Sequence, residues 1–271
     1  MICFPTAKIN LGLRVTARRP DGFHTIETVF YPIGLKDALD MVPAPETASY
    51  SLTVTGTQDV IEQEANLVTK AYRLLASIRP LPPLDVHLHK AIPSGAGLGG
   101  GSSDAAFMLD LLNDNLQLGF SKERLLELAV QLGADCPFFL INKPLYATGI
   151  GSTFSECPLS LSGYHLVVVK PSVSIPTAAA YKAIKPEIPA ISVKDLVQTP
   201  VRDWKDNLVN DFESYAFSQY PIIGNIKQRL YQEGALYASM TGSGSAVYGL
   251  FEKAVDLSSA FESMFYWSEQ L

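Results

Sequence analysis

The sequence has little cysteine and little histidine. Its three cysteines, Cys3, Cys136 and Cys157, are widely spaced among 271 residues and form no C-x-x-C pair. This spacing argues against a disulfide framework and against a zinc cluster, and it favours a reducing compartment, for which we expect the cytoplasm. His87 and His89 alternate along one predicted strand, but two histidines alone make a poor metal site. We therefore assign no metal ligand to them.

Long hydrophobic runs and runs of basic residues are also missing. No stretch approaches the roughly 18 apolar residues that a membrane-spanning helix needs, and the first residues lack the charged start and apolar centre of a signal peptide. The formal net charge is −6 and the pI is near 5.2, which makes a nucleic-acid backbone an unfavourable partner. We expect a small-molecule substrate, no membrane or nucleic-acid partner, and a monomer or homodimer.

What the sequence does contain is a mixture of short strand and helix patterns. Apolar residues alternate in some segments and recur with helical spacing in others. The predicted strands lie at 11–15, 52–54, 86–88, 164–169 and 246–251, and the predicted helices at 67–75, 102–116, 125–132, from 177 and near 257–270. The pattern restarts after about residue 155. We predict an α+β chain of two domains, 1–155 and 156–271.

The most informative stretch is rich in glycine and precedes the predicted helix at 102–116. Five glycines occupy the seven positions 95–101. Without Cβ atoms, several backbone N–H groups of such a loop can converge on one anion, and the following helix adds its own N–H groups and positive dipole end. We predict a phosphate-binding loop, with a tight turn as the simpler alternative. The Ser-Ser-Asp sequence at 102–104 suits the capping of the helix.

Two known nucleotide-binding patterns can be compared with this stretch. It lacks the Lys-Ser/Thr ending of the P-loop pattern G-x-x-x-x-G-K-[ST], which disfavours that class. It contains the literal dinucleotide pattern at Gly95, Gly97 and Gly100. That fold requires an acidic residue at the end of a second strand about 20 residues later, where a helix is predicted here. Dinucleotide binding therefore stays open as the second choice.

Three motifs in order along the chain resemble those of the GHMP kinases, the small-molecule kinases named for galactose, homoserine, mevalonate and phosphomevalonate. They lie at 5–11, 93–106 and 240–246, and further similar segments lie at 19–24, 133–139, 174–177 and 207–213. These segments together resemble the member that phosphorylates a cytidyl diphosphate alcohol in the non-mevalonate isoprenoid pathway. The resemblance implies a two-domain α+β GHMP kinase fold, with an N-terminal half like domain 2 of ribosomal protein S5 and a ferredoxin-like C-terminal half.

The resemblance also implies ATP and Mg²⁺ as cofactors. Asp135 is implied as the base that receives the hydroxyl proton and Lys8 as a positive charge beside it. The simpler alternatives are a surface-loop or capping aspartate and a solvated lysine. The implied ATP-binding residues are Asn66, Lys90, Pro93, Ser94, Gly95, Ala96, Gly97, Leu98, Gly99, Gly100, Gly101, Ser102 and Ser103. For Asn66 the simpler alternative is a helix N-cap.

The cytidyl substrate is assigned its own residues by the same resemblance. They are Asn10, Phe23, His24, Thr177, Tyr181, Gly242 and Gly244. His24 is implied to hydrogen-bond the cytosine, with Phe23 stacking on the base where most members have tyrosine, and Tyr181 on its opposite face. The alternatives are core or interface packing for the Phe23 and Tyr181 rings, an ordinary edge asparagine for Asn10, and a hairpin or strand-entry turn for Gly242 and Gly244. The family's usual acidic residue after the second glycine is absent at 148–153, so we assign no carboxylate to Mg²⁺; Ser102 or Ser103 could supply a hydroxyl.

Two rival functions stay open. The first is a related kinase acting on homoserine or a mevalonate derivative, which the Gly-Phe-His sequence at 22–24 disfavours because it suits a planar base. The second is a catalytically inactive nucleotide-binding protein on the same fold. The presence of both Lys8 and Asp135 argues against it.

Overall fold

A computed structural model of the chain describes residues 1–56 and 62–271. Its strands are β1 (Ile2–Cys3), β2 (Thr6–Arg18), β3 (His24–Lys36), β4 (Ala38–Pro43), β5 (Ser51–Thr55), β6 (Leu84–His89), β7 (Leu145–Thr148), β8 (Thr153–Glu156), β9 (His165–Lys170), β10 (Tyr237–Met240), β11 (Val247–Phe251) and β12 (Phe265–Gln270). Its α-helices are α1 (Leu67–Ala76), α2 (Gly100–Asn115), α3 (Lys122–Leu132), α4 (Cys136–Ile141), α5 (Thr177–Ala183), α6 (Val193–Leu196), α7 (Glu213–Gln219) and α8 (Pro221–Gln232). Within the described ranges, no helix is long and apolar enough to span a membrane.

The predicted helix near 257–270 is wrong, whereas the other predicted elements each match a strand or helix. A short 3-10 turn at Ser258–Phe261 is followed there by β12. This strand pairs antiparallel with β9, from Phe265 opposite Lys170 to Gln270 opposite His165. Three consecutive aromatic residues at 265–267 favour a strand. Pairing with β12 also satisfies backbone N–H and C=O groups along one edge of β9, which a helix at 257–270 would leave unpaired.

The described chain forms two compact units that interleave along the sequence. The first unit consists of Met1–Ala7, Leu35–Ser94 and Gly99–Asn142, and the second of Lys8–Gly34, Gly95–Leu98 and Lys143–Leu271. The sequence pattern instead predicts one boundary. The division into 1–155 and 156–271 stays a prediction.

The first unit contains one sheet and the helices α1 to α4. The strand order is β1-β4-β6-β5. Strand β6 pairs antiparallel with β4 on one side and parallel with β5 on the other. Along β6, Leu84, Val86 and Leu88 are buried, whereas the alternate residues are exposed. On the exposed side, His87 and His89 both hydrogen-bond the Thr55 hydroxyl. The alternation in the sequence therefore reflects a sheet with one covered face.

Helix α2 begins earlier than the sequence predicts. Its N-cap is Gly99, which has a left-handed φ of +75° and supplies no side chain. The expectation that the Ser-Ser-Asp sequence caps the helix is wrong, because Ser103 and Asp104 lie inside the helix and are buried. A left-handed residue at this point reverses the chain between loop and helix, and glycine adopts that conformation at the lowest cost.

The second unit contains two sheets, ordered β2-β3-β7-β8 and β10-β11-β9-β12, and the helices α5 to α8. Helix α8 starts at Pro221, a residue whose fixed φ suits the first helical position. The buried cluster between α8 and the second sheet includes Val167, Val169, Met240, Val247, Ile223, Ile226 and Leu230. This apolar layer fixes β10 and β11, and so supports the turn that joins them.

Candidate active site

The glycine loop, residues 93–99, joins β6 to α2. Gly95, Gly97 and Gly99 have φ angles of +61°, +76° and +75°, which residues with a Cβ rarely adopt. The first N–H groups of a helix have no partner within the helix, and the N-cap residue of α2, Gly99, has no side chain to cap them. Such a helix start, with its positive dipole end, has the properties that phosphate oxygens require.

In the first unit, a cluster of charged side chains holds the two ends of this loop. The Asp37 carboxylate accepts hydrogen bonds from the backbone N–H groups of Ala91 and Ile92 at 2.6 and 2.8 Å and forms an ion pair with Lys90. The Lys90 ammonium also lies 2.6 Å from a carboxylate oxygen of Asp104 in α2. We call Lys90, Asp37 and Asp104 the Lys90 triad. It connects the segment entering the glycine loop to the helix leaving it.

The Lys90 triad has two carboxyl groups and one ammonium, all nearly inaccessible to solvent. Burial raises the pKa of Asp104 to about 7; Lys90 opposes this shift and Asp37 adds to it. Burial lowers the pKa of Lys90, but the two carboxylates outweigh that effect and the pKa is raised. The ammonium is therefore engaged within the protein. Contact of Lys90 with ATP stays a prediction.

In the second unit, Lys8 donates to two neutral oxygens. Its ammonium donates to Asn10 Oδ1 at 2.5 Å and to the Gly97 carbonyl at 2.9 Å, and it lies 5.0 Å from the centre of the Phe30 ring. Lys8 is only 3% exposed. These contacts exclude the alternative of a solvated lysine.

Asn10 and Thr241 complete this arrangement. The Asn10 amide nitrogen donates to the Thr28 hydroxyl at 3.0 Å, which leaves Oδ1 directed at Lys8. The Thr241 hydroxyl accepts from the Asn10 backbone N–H at 3.0 Å and lies 3.1 Å from the Gly97 carbonyl oxygen. We call Lys8, Asn10, Gly97 and Thr241 the Lys8 network. It brings together one residue or more from each of the motifs at 5–11, 93–106 and 240–246.

The glycine turn, residues 241–245, packs directly on the glycine loop. A Cβ on Gly97 would lie 2.0 Å from the Thr241 carbonyl oxygen, and one on Gly242 would lie 3.0 Å from the Gly97 Cα. A Cβ on Gly244 would lie 2.7 Å from the Met240 sulfur. Close packing within the chain thus requires these glycines. Contact of Gly242 and Gly244 with substrate phosphates stays a prediction.

The sequence reasoning assigned no role to Asn210, Thr241 or Asp37. The Asn210 amide donates to the carbonyls of Met240 and Gly242 at 2.7 and 2.9 Å, and so fixes the start of the glycine turn. Asn210 and Thr241 both lie within segments that carry the family resemblance, and that position was the available signal. Asp37 lies in no such segment, and nothing in the sequence connects it with Lys90.

Asp135 lies in the first unit, at the N-cap position of α4. Its side chain makes no capping hydrogen bond there and has its interactions elsewhere, so the alternative of a capping aspartate is excluded. Asn66 does cap a helix, since its side chain accepts from the Val68 N–H at 2.9 Å. In α2, Ser102 is partly exposed, whereas the Ser103 hydroxyl is fully buried. Their contacts with ATP stay predictions.

The aromatic residues assigned to the cytosine lie in the second unit. The His24 and Tyr181 rings stack with centroids 4.9 Å apart and planes at 24°, and Tyr181 meets Phe212 edge-on at 4.8 Å. Phe23 is 61% exposed, which excludes core packing for its ring. Thr177, the first residue of α5, is exposed as well. The structure thus brings His24 and Tyr181 together and leaves the Phe23 ring accessible.

Comparisons with known proteins agree with this geometry. The models of the GHMP kinase N-terminal and C-terminal domains match residues 66–143 and 192–266. A 4-diphosphocytidyl-2-C-methyl-D-erythritol kinase of Bacteroides thetaiotaomicron is 54% identical over 93% of this chain and 92% of its own length. One from Parabacteroides distasonis is 50% identical over the full length of both chains. The crystal structure of a 4-(cytidine 5'-diphospho)-2C-methyl-D-erythritol kinase covers 99% of this chain and 98% of its own, with 33% identity and a TM-score of 0.83.

These similarities confirm the predicted α+β GHMP kinase fold and contradict the dinucleotide-binding alternative. They do not test the roles of single residues, the cytoplasmic location or the monomer or homodimer state, all of which stay predictions. The identities extend over nearly the whole chain and include both family domains. The chain therefore belongs to the family of 4-diphosphocytidyl-2-C-methyl-D-erythritol kinases within the GHMP kinases.

Proposed function

We propose that this chain transfers the γ-phosphoryl group of ATP to the 2-hydroxyl of 4-diphosphocytidyl-2-C-methyl-D-erythritol, giving the 2-phosphate and ADP, in the non-mevalonate route to isoprenoid precursors. Membership of a kinase family supports the use of ATP. The sequence identity of 50% or more to 4-diphosphocytidyl-2-C-methyl-D-erythritol kinases, over 93% or more of the chain, supports this alcohol over homoserine or mevalonate. The observation that supports the proposal most directly is the Lys8 network, in which all three GHMP kinase motifs meet.

Phosphoryl transfer requires positioned phosphates, stabilisation of the transferring charge and a group that receives the hydroxyl proton. In our proposal, N–H groups of the glycine loop and of the start of α2 bind phosphate oxygens. Asp135 receives the proton of the substrate hydroxyl. The Lys8 ammonium, oriented by Asn10 and Gly97, stabilises negative charge in the transition state.

The aromatic residues would recognise the cytidyl group. Phe23 and Tyr181 stack on the two faces of the base, and His24 hydrogen-bonds its edge. The exposed Phe23 ring supports this assignment. Phenylalanine keeps the stacking surface that tyrosine has in most members and lacks only the hydroxyl.

Mg²⁺ is the second proposed cofactor. The described ranges hold no group of three or more His, Cys, Asp or Glu residues suited to a metal, but magnesium keeps several waters and needs few protein ligands beside phosphate oxygens. The Ser102 hydroxyl, partly exposed in the first turn of α2, fits such a site better than the buried Ser103 hydroxyl. When bound, the ion neutralises phosphate charge.

A coupled assay of ADP formation tests the proposed function. We expect turnover with the cytidyl diphosphate alcohol and none above background with homoserine or mevalonate. Asp135→Asn should lower kcat by a factor on the order of 10² to 10⁴, the range for a positioned base, and leave the affinity for an ATP analogue unchanged. Asp114→Asn, which changes an exposed aspartate of α2, is the matched control and should retain full activity.

Each rival function has its own outcome in this assay. Turnover of homoserine or mevalonate alone would favour the related kinases. Binding of the ATP analogue without turnover of any of the three alcohols would favour an inactive nucleotide-binding protein. Near-normal kcat in Asp135→Asn would remove Asp135 from the role of base.

A further inference from the structure

Thr241 lies at the centre of the Lys8 network, although no motif reasoning assigns its side chain a task. It is fully buried. Its hydroxyl oxygen accepts from the Asn10 backbone N–H at 3.0 Å and lies 3.2 Å from Asn10 Oδ1 and 3.1 Å from the Gly97 carbonyl oxygen. The hydroxyl therefore contacts both the first strand motif and the glycine loop.

The two oxygens near the Thr241 hydroxyl are also the acceptors of Lys8. The ammonium donates to Asn10 Oδ1 at 2.5 Å and to the Gly97 carbonyl at 2.9 Å. A hydroxyl has one proton and donates to one acceptor at a time. Its proton therefore bonds either Asn10 Oδ1 or the Gly97 carbonyl, the two oxygens that also accept from Lys8, while its oxygen accepts from the Asn10 backbone N–H.

We propose that Thr241 is a positioning residue that acts through Lys8: by bonding the Asn10 backbone N–H and one of two oxygens that accept from the ammonium, its hydroxyl helps to hold Lys8 in place during phosphoryl transfer. This inference rests on the proposed function, because the role of Lys8 belongs to that proposal. Orientation of a reacting group to within a fraction of an ångström contributes strongly to rate. Loss of the hydroxyl should therefore act on kcat.

A purely structural role for the hydroxyl is disfavoured by the other bonds of the glycine turn. The Thr241 N–H donates to the Ala246 carbonyl at 3.0 Å, and the Gly244 N–H donates to the Thr241 carbonyl at 3.0 Å. The Asn210 amide binds the carbonyls of Met240 and Gly242. The backbone of the turn is thus held by bonds that do not use the Thr241 hydroxyl.

The experiment compares two matched pairs at position 241. Threonine and Thr241→Val differ in the hydroxyl while both keep two branches on Cβ; Thr241→Ser and Thr241→Ala differ only in the hydroxyl. With ATP and the cytidyl diphosphate alcohol, we expect Thr241→Val to lower kcat by about 10- to 100-fold, with both KM values within about threefold. Thr241→Ser should keep kcat within about threefold, and Thr241→Ala should behave like Thr241→Val.

A double-mutant cycle tests whether the hydroxyl acts through the lysine. In a Lys8→Met background, Thr241→Val should lower kcat by no more than about twofold, because its effect needs the ammonium. A full and independent loss in that background would overturn the inference. The pair Thr241→Ser and Thr241→Ala answers the question if Thr241→Val does not fold.

Further outcomes separate this inference from the proposed function. Wild-type kcat in Thr241→Val, or equal losses in Thr241→Ser and Thr241→Ala, would overturn the positioning role and leave the proposed function intact. A rise of KM without a fall of kcat would also overturn it. An inactive wild-type chain would overturn the proposed function, and this inference with it.

Discussion

Lys90 in the first unit and Lys8 in the second are both buried, and each donates to oxygens of its own unit. Lys90, 7% exposed, lies between the carboxylates of Asp37 and Asp104 in the first unit. Lys8, 3% exposed, donates to the Asn10 amide oxygen and the Gly97 carbonyl in the second unit. The burial is similar; Lys90 contacts two carboxylates, and the contacts of Lys8 include two neutral oxygens.

The difference indicates different tasks. Carboxylates neutralise an ammonium and depend on it, since removal of one partner leaves a buried charge unpaired. Neutral acceptors orient an ammonium without themselves cancelling its charge. Lys90 is therefore suited to holding the ends of the glycine loop together, and the two neutral oxygens are suited to orienting Lys8 for the electrostatic role proposed above.

The largest effect should come from Lys90→Met. It leaves Asp37 and Asp104 buried without their cation, and we expect the free energy of unfolding to fall by about 3–5 kcal/mol, the range for breaking a buried ion pair. Urea unfolding measures this loss. Lys90→Met combined with Asp104→Asn should recover part of it, since one of the two carboxylates is then removed.

The matched variant Lys8→Met should affect turnover more than stability. We expect kcat to fall by about 10²–10³, as for the loss of one electrostatic group, while the free energy of unfolding falls by only about 1–3 kcal/mol, the cost of unmade hydrogen bonds. The comparison between the two lysines would fail if Lys8→Met were the less stable protein, or if Lys90→Met kept its stability and lost its turnover.

A smaller effect is expected in the pH dependence of stability. Burial raises the pKa of Asp104 to about 7, whereas an unfolded aspartate has a pKa near 3.9. Between about pH 4 and pH 7 the folded chain keeps a proton that the unfolded chain has released, so the Asp104 contribution to the free energy of unfolding decreases as pH rises and levels off above 7. Asp104→Asn should reduce this decrease.

Urea unfolding of the wild type and of Asp104→Asn at several pH values between 4 and 8 measures how much the free energy of unfolding of each protein decreases with pH. The wild type should lose more stability across this range than the variant. Equal slopes would show that Asp104 is ionised throughout, and the Lys90 triad would then hold two charged carboxylates at all of these pH values.

The smallest effect should come from Gly101→Ala, for which Gly97→Ala is the strained contrast. A Cβ on Gly101 would meet only Leu67 Cδ1, at 3.7 Å, so Gly101→Ala should stabilise the fold by up to about 1 kcal/mol. Gly97→Ala should destabilise it, because φ is +76° and the Thr241 carbonyl is too close. Thermal unfolding measures both. A rise in the KM for ATP in Gly101→Ala would show that the ligand, not the protein, requires this glycine.

Much of the fold follows from local pattern. The alternation along β6 and the helical spacing in α1 and α3 predicted those elements, because one face of each is covered by the core. The last strand, β12, was predicted as a helix, since its pairing with β9 depends on residues about 100 positions away. The start of α2 was misplaced because a glycine, not a serine, caps it.

In the candidate site, too, the sequence predicted some residues and missed some contacts. Lys8, Asn10 and Gly97 could be named from their motifs, because those motifs are contiguous in the chain. The contacts of the Thr241 hydroxyl with Asn10 and the burial of Lys90 with Asp37 could not, because each joins residues separated by 53 positions or more.

The sequence alone predicted a mixed α and β chain with a glycine-rich loop, and the order of its motifs was enough to show the resemblance to the GHMP kinases, because periodicity and motif order are properties of the chain. Only the tertiary structure decided that Lys90 lies between two carboxylates and that Lys8 donates to Asn10 and to the Gly97 carbonyl. Acceptor identity is set by the side chains and carbonyls that folding brings within hydrogen-bond distance, and these come from distant parts of the chain.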